Sequence, residues 1–305
     1  MSFVFVENEP LAKYTSWRIG GPARYFANAP TAEALTAALD WARERGLPVF
    51  VLGGGTNLLI RDSGFPGLVV RYRAQELRID DTKGHARIAA GAPMAGTARR
   101  LAGLGWAGLE WAEGLPGTIG GAVFGNAGCY GGDIASTLTR AWLQVDGVVE
   151  EWPVERLMYG YRTSMLKIHT TNDQRPTTNE AEMGSSAVGP IVVAAEFKLN
   201  QANIGELAER MRSIATERKS KTPVGSSCGS VFKNPPGNSA GRLIEAAGLK
   251  GTRAGQAEIS QKHANYIVNL GGATCDDILR LVDITRERVA QEFGIELELE
   301  IQIVG

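Results

Sequence analysis

The chain has 305 residues, 44% of them hydrophobic and 21% charged, with a formal net charge of -1. That length exceeds one typical core and predicts two or three domains, while the balanced charge excludes a surface built for nucleic acid or an anionic membrane. No apolar run approaches the ~18 residues of a membrane span, and the opening MSFVFVENEP carries Glu7 and Glu9 without the basic region of a signal peptide. Cys129, Cys228 and Cys275 are widely spaced with no CxxC pair, so neither a disulfide framework nor a metal site is expected, and the reducing cytoplasm is the expected compartment.

The first predicted helix covers residues 31–46, with Thr31 as cap, Leu35, Ala38, Leu39 and Ala42 as one apolar stripe, and Gly46 as stop. Val49 to Leu52 reads as a short buried strand, followed by the turn Gly53-Gly54-Gly55-Thr56-Asn57, the apolar Leu58 to Ile60, and a strand from Leu68 to Arg73. A helix is predicted over Ala95 to Leu104. The run from Gly114 to Gly132 is too glycine-rich for a long helix and too apolar for a linker. Strands follow around Leu143 and over Ile191 to Leu199; the polar 170–189 between them reads as a mobile surface loop. A domain boundary is placed near Asn200. Beyond it, Ile204, Leu207, Met211 and Ile214 mark an amphipathic helix, a short helix spans Gly241 to Ala247, and a long one runs from Thr274, with Asp277 completing a capping box, to Gly294. The closing IELELEIQIV alternates strictly, which predicts one strand with Ile295, Leu297, Leu299, Ile301 and Ile303 on one face.

Two glycine runs offer backbone N–H groups to a ligand. LGGGTN lacks both the GxGxxG of a Rossmann fold and the lysine of a P-loop; its N–H groups could form an anion nest, but on its own the motif reads first as a tight glycine-rich turn. LPGTIGGAVFGNAGCYGG is long and nearly uncharged, which favours a cofactor cradle over a hinge. Ser230, Lys233 and Asn234 put a hydroxyl, an ammonium and an amide within five residues. Arg162 beside Tyr161 is a structural ion pair or a carboxylate clamp, Glu300 on a polar strand face is by default a solvated carboxylate, and His263 is a core histidine or a general acid. Neither His85 nor His169 sits in such a constellation. Residue types alone do not choose among these readings.

Eight segments in order carry a resemblance: TSWRIGGPARYF from Thr15, VLGGGTNLLI from Val51, GLPGTIGGAVFGNAGCYGG from Gly114, YRTSMLK from Tyr161, GSVFKNP from Gly229, AGRLIEAAGLKG from Ala240, SQKHANYIVN from Ser260, and the terminal LELEIQIVG. Together they resemble the UDP-N-acetylenolpyruvoylglucosamine reductase family, in the subclass without an extra tyrosine loop. The resemblance implies an α+β protein: a vanillyl-alcohol-oxidase-type FAD-binding region over 1–200, in subdomains of about 1–74 and 75–200, and a smaller α+β substrate-binding domain over 201–305. It implies FAD as cofactor and NADPH as co-substrate, with Gly53, Gly54, Gly55, Thr56, Asn57, Pro116, Gly117, Thr118, Gly120, Gly121, Asn126 and Gly128 around the flavin nucleotide. It makes Ser230, Arg162 and Glu300 the catalytic residues, and Tyr161, Lys221, Asn234 and His263 contacts of a nucleotide-sugar substrate. Two features depart from the pattern: the short spacing between Lys221 and Ser230, and the polar insertion after His169.

In the reaction so implied, flavin reduced by NAD(P)H delivers hydride to an enolpyruvyl ether and Ser230 protonates the adjacent carbon. Arg162 binds the neighbouring carboxylate as charge grows on it. Glu300 fits as a protonated carboxyl that donates a hydrogen bond, and Lys221 or Lys233 eases the serine alkoxide. Other readings are a different flavin enzyme on the same scaffold and a non-catalytic nucleotide-sugar binding protein. A monomer is expected, without nucleic-acid or membrane partners.

Overall fold

The computed structural model describes residues 4–168 and 189–305; the polar loop expected at 170–189 therefore lies outside the described residues except for Gly189. The chain divides into two compact units, neither of them contiguous. The first takes in the described residues of Met1–Val6, Phe26–Gly54 and Gly67–Ala215; the second comprises Glu7–Tyr25, Gly55–Pro66 and Thr216–Gly305.

In the first unit, Thr31 caps the helix Ala32–Arg43 by accepting the Ala34 N–H at 3.2 Å, and the predicted stripe of Leu35, Ala38, Leu39 and Ala42 is buried. The helix stops before Gly46, which takes the left-handed φ of 61° needed to turn the chain. Val49–Leu52 then runs parallel to Phe65–Tyr72, in a register that sets Leu52 against Arg71. The unit also holds an antiparallel sheet of five strands, in the order Val148–Pro153, Leu138–Val145, Ile191–Lys198, His85–Ala89, Leu77–Asp80. Its buried positions include Ala86, Ile88, Leu138, Leu143 and Phe197. The predicted helix after Ala92 spans Met94–Gly103. The glycine-rich run forms one short helix, Ile119–Gly125, which packs against Ile191–Lys198.

The second unit is organised around Trp17, Ile19, Leu59, Phe232, Ile278 and Leu281, all at most 2% exposed. Trp17 is locked in by its indole N–H, which donates to Ile267 O at 2.7 Å, and by the Asn269 amide, which donates to Trp17 O at 2.8 Å. The capping box at Thr274 and Asp277 is present, and the helix it starts, Cys275–Phe293, ends at Gly294 with φ 65°. Ala240–Ala246 is the short helix, and a three-stranded antiparallel sheet orders Arg253–Ala254, Ala257–Ile259 and Ile267–Asn269. The amphipathic helix Ile204–Lys221 runs from the first unit into the second, with Leu207, Met211 and Ile214 buried and Ile204 exposed at its first residue.

The closing segment differs from the single strand its alternation predicts. Leu297 and Ile301 are buried, yet Ile303 is 38% exposed and Val304 is buried instead. A bend at Ile301 shifts the phase by one residue: Leu299 bridges antiparallel to Phe232, whereas Gln302–Val304 pairs parallel with Leu58–Ile60. Two different partners, each with its own register, override one periodic pattern. Among the described residues no helix is long and apolar enough to cross a membrane.

Candidate active site

The glycine turn after Leu52 enters an open cleft of the first unit, lined by Gly53, Gly54, Arg71, Tyr72, Arg73, Gln75, Gly91, Pro93, Gly117 and Thr118. Two backbone segments form its wall. Residues 117–120 are zipped to 90–94: Met94 N–H donates to Gly117 O at 3.0 Å, Ile119 N–H to Ala92 O at 2.9 Å, and Gly120 N–H to Ala90 O at 2.8 Å. Side chains would be crowded at two glycines of this wall. A Cβ on Gly53 would lie 2.8 Å from the Thr118 hydroxyl, and one on Gly120 2.9 Å from Ala90 Cβ. Thr118 itself caps the following helix, accepting the Gly121 N–H at 3.3 Å. Pro116 is exposed at the start of this wall.

Beyond the helix, the rest of the glycine run is fastened to the Tyr159–Lys167 segment. Asn126, at φ 47°, donates its amide to Gly160 O at 3.0 Å and accepts the Ala135 N–H at 3.1 Å. Tyr159 donates to Val123 O at 2.8 Å and Ser164 to Phe124 O at 2.6 Å. Burial pushes the Tyr159 phenol far above the usual tyrosine range, so it stays protonated. Arg162 occupies the turn closed by the Gly160–Thr163 bridge, at φ 55°, a conformation that costs a non-glycine residue of order 1 kcal/mol or more. Its Nη2 donates to Gly128 O at 2.6 Å, so the guanidinium is held at the second glycine run. Tyr161 beside it is 56% exposed.

Ser230 and Glu300 lie in the second unit. The Glu300 N–H donates to Val231 O at 2.8 Å, and the Lys233 N–H to Glu298 O at 2.9 Å, which pairs the serine segment with the chain end that carries the glutamate. Both residues are half-buried. Burial pushes the Cys228 thiol in the serine segment well up, with Glu300 adding to the shift. Asn57 joins the same corner: its amide donates to Glu300 O at 2.9 Å, and its carbonyl accepts the Gln302 N–H at 2.9 Å. Gly55 is fixed by sterics, since a Cβ there would fall 1.8 Å from Tyr14 O at φ 63°; Thr56 between them is half-buried. Asn234 accepts the Ala240 N–H at 3.0 Å and so starts the helix Ala240–Ala246. Lys221 pairs with Glu217 at 2.5 Å and Lys233 with Glu298 at 3.1 Å, so each ammonium has a carboxylate partner of its own. His263 Nδ1 accepts the Asn265 N–H at 3.2 Å. Burial is the main cause that lowers its pKa, with Lys250 and Lys221 adding to it, and the ring is neutral at pH 7.

A relative from Chloroflexus aggregans, a UDP-N-acetylenolpyruvoylglucosamine reductase, is 54% identical over 300 residues, covering 97% of this chain and 96% of its own. The chain belongs to the UDP-N-acetylenolpyruvoylglucosamine reductase family. A second such reductase, from Rubrobacter xylanophilus, is 45% identical over 98% of this chain and 94% of its own. The crystal structure of the family's reductase from Thermus caldophilus matches over the full length of both chains, with a TM-score of 0.79 at 36% identity, and bears out the α+β fold. The family's C-terminal domain model matches residues 220–304, and an FAD binding domain model matches 23–149. The reductase's C-terminal domain thus holds Lys221, Ser230, Asn234, His263 and Glu300, and the FAD binding domain holds both glycine runs.

Sequence reasoning passed over several residues that shape this reductase's sites. Arg71, Tyr72, Arg73 and Gln75 line the cleft, although the only local signal is a strand that ends in RYRAQ. Asn265 braces the serine segment: its carboxamide accepts the Phe232 N–H at 2.9 Å and donates to Phe232 O at 2.8 Å, while its own carbonyl accepts the Val231 N–H at 2.9 Å. Trp111 backs the hairpin of Gly128–Cys129 and Gly132–Asp133; a Cβ on Gly132 would fall 2.3 Å from its indole Cδ1.

Proposed function

We propose that this chain reduces UDP-N-acetylglucosamine enolpyruvate to UDP-N-acetylmuramate, with FAD as cofactor and NADPH as reductant, in bacterial peptidoglycan precursor synthesis. The observation that carries the reading is the backbone pairing that sets Ser230 beside Glu300 in a unit of its own, through Glu300 N–H and Val231 O at 2.8 Å. The residues fit the cofactor. The cleft is open, a Cβ on its Gly53 or Gly91 would meet other atoms at less than 3.0 Å, and its wall presents Gly53, Gly54, Gly117 and Thr118. We assign the remaining cofactor contacts to Gly55, Thr56, Asn57, Pro116, Gly120, Gly121, Asn126 and Gly128.

When bound, FAD supplies the two-electron carrier between NADPH and the enolpyruvyl group. The protein supplies the rest. Ser230 holds the proton that C2 of the enolpyruvyl ether takes up. Arg162, fixed by its bond to Gly128 O, binds the substrate carboxylate bidentately and strengthens that hold as negative charge develops there. Glu300 donates a hydrogen bond to the same developing charge. Tyr161, Lys221, Asn234 and His263 hold the nucleotide sugar, and the neutral His263 serves as a hydrogen-bonding group. In this division, residues 1–200 bind FAD in two subdomains, of about 1–74 and 75–200, and 201–305 form the substrate domain, to which Glu7–Tyr25 and Gly55–Pro66 contribute core. The reading also takes the protein as a cytoplasmic monomer, which sedimentation of the purified enzyme tests.

The deciding experiment separates the half-reactions. In Ser230→Ala, NADPH bleaches the flavin as in the parent, while reoxidation by the enolpyruvyl substrate slows by about 10²-fold or more. A second half-reaction of unchanged speed removes Ser230 from the mechanism.

A further inference from the structure

We propose that Arg71 and Arg73 are the charge partners of the cofactor's diphosphate, so that the cleft recognises the adenosine diphosphate half of FAD electrostatically. The inference rests on reading the cleft as the cofactor site, and it concerns what the glycine turns cannot supply. Gly53, Gly54 and Gly117 offer N–H groups, which carry only partial charge. A diphosphate ester brings two full negative charges. Of the ten residues that line the cleft, two are cationic and none is a carboxylate, in a chain whose overall charge is -1.

The strand pairing explains how the arginines come to be there. Arg71 is the register partner of Leu52, the residue immediately before the glycine turn, so the end of one strand delivers cations where the end of the other delivers N–H groups. Tyr72 is buried, with its hydroxyl donating to Val193 O at 3.2 Å. Arg71 and Arg73 flank it at the end of the strand, and both line the cleft. Arg73 is pinned by its own backbone: its N–H donates to Ala29 O at 2.8 Å, and Gly91 lies so close that a Cβ there would come within 2.8 Å of Arg73 Cα. The same approach brings the 90–94 segment, and with it the Thr118 wall, to the arginine strand. Glu33 is a carboxylate that acts on Tyr72, yet it does not line the cleft. Burial and that carboxylate push the phenol up to about 12, so Tyr72 stays neutral and adds no opposing charge. Arg73 is exposed and Arg71 half-buried, so neither charge is stranded in a dry interior, and the attraction must weaken with salt. A guanidinium fork also matches two phosphate oxygens at once, which a lysine ammonium does not.

The test measures binding rather than turnover. FAD release from the holoenzyme is followed by flavin fluorescence at low and at high salt, for the parent, Arg71→Gln, Arg73→Gln and the double variant. ADP and riboflavin then serve as separate competitors for rebinding. Each single variant should weaken FAD by about tenfold at low salt, and the double variant should lose most of the salt dependence. ADP should compete less well against the variants while riboflavin competes as before; Arg73→Lys should keep the salt dependence and recover part of the affinity. Variants that hold FAD with the parent's affinity and salt slope overturn the inference, and so does an equal loss for ADP and riboflavin, which would mean that the arginines support the fold of the site. A parent protein that takes up no FAD instead refutes the cofactor reading itself, a distinct outcome.

Discussion

Asn265 offers the most direct check on how the serine segment is held. The residue is 3% exposed, and its carboxamide satisfies both the N–H and the C=O of Phe232, itself 2% exposed. Asn265→Ala removes both partners at once. Each buried backbone group left unpaired costs about 1–3 kcal/mol, so the variant should lose roughly 2–5 kcal/mol. Urea unfolding followed by tryptophan fluorescence should show the lower midpoint in the transition of the second unit, which holds Trp17. Hydrogen exchange at the Phe232 amide should accelerate with it. Asn265→Asp keeps the acceptor for the Phe232 N–H but loses the donor to Phe232 O, and should not rescue. A loss below about 0.5 kcal/mol, the range of ordinary surface substitutions, with unchanged exchange at Phe232, would refute the brace.

Arg162→Lys should fail to restore turnover, because a point charge cannot replace a bidentate fork; steady-state kcat near the parent's would refute the clamp. Glu300→Gln retains a hydrogen-bond donor, and should keep far more activity than Glu300→Ala in the same assay; equal losses would mean that the carboxylate acts in its charged form. Gly132→Ala forces a methyl group into the Trp111 indole and should cost about 1–3 kcal/mol as overpacking; Trp111→Ala on top of it should be less than additive, and strict additivity in thermal unfolding would deny the contact. The His263 pKa lies below the ordinary 6.5, so the unfolded chain takes up a proton before the folded one does. Stability should therefore fall as pH drops below about 6.5 and level off below the folded value. His263→Asn should flatten that segment of a urea-midpoint against pH curve, and an unchanged slope would contradict the neutral half-buried ring.

Most of the local architecture is legible because its causes are local. Thr31 and Thr274 cap their helices with side chains only three residues from the amides they satisfy, and Gly46 and Gly294 stop them by taking left-handed conformations. The two glycine runs announce close backbone approach, and the approaches are there at Gly55 and Gly120. What escapes the sequence depends on pairing across long separations. Arg71 and Arg73 reach the cleft only because Arg71 falls opposite Leu52. The Asn57 amide meets a carbonyl 243 positions away. The closing segment misleads because its alternation is real for each half, while the bend at Ile301 joins two partners out of phase.

Trp17, Ile19 and Leu59 belong to the same core as Phe232 and Leu281, although some 200 residues of chain separate them. On the ribosome the indole emerges early and its slot is made last, so the second unit cannot close until translation is nearly complete. A fragment that begins at Thr216 would contain Ser230 and Glu300, the side chains proposed for catalysis in that unit, and still lack the plug that fills it. Cutting this enzyme there, inside the helix Ile204–Lys221, would therefore yield an aggregating half, whereas a circular permutant that joins the early segments to the late ones should fold.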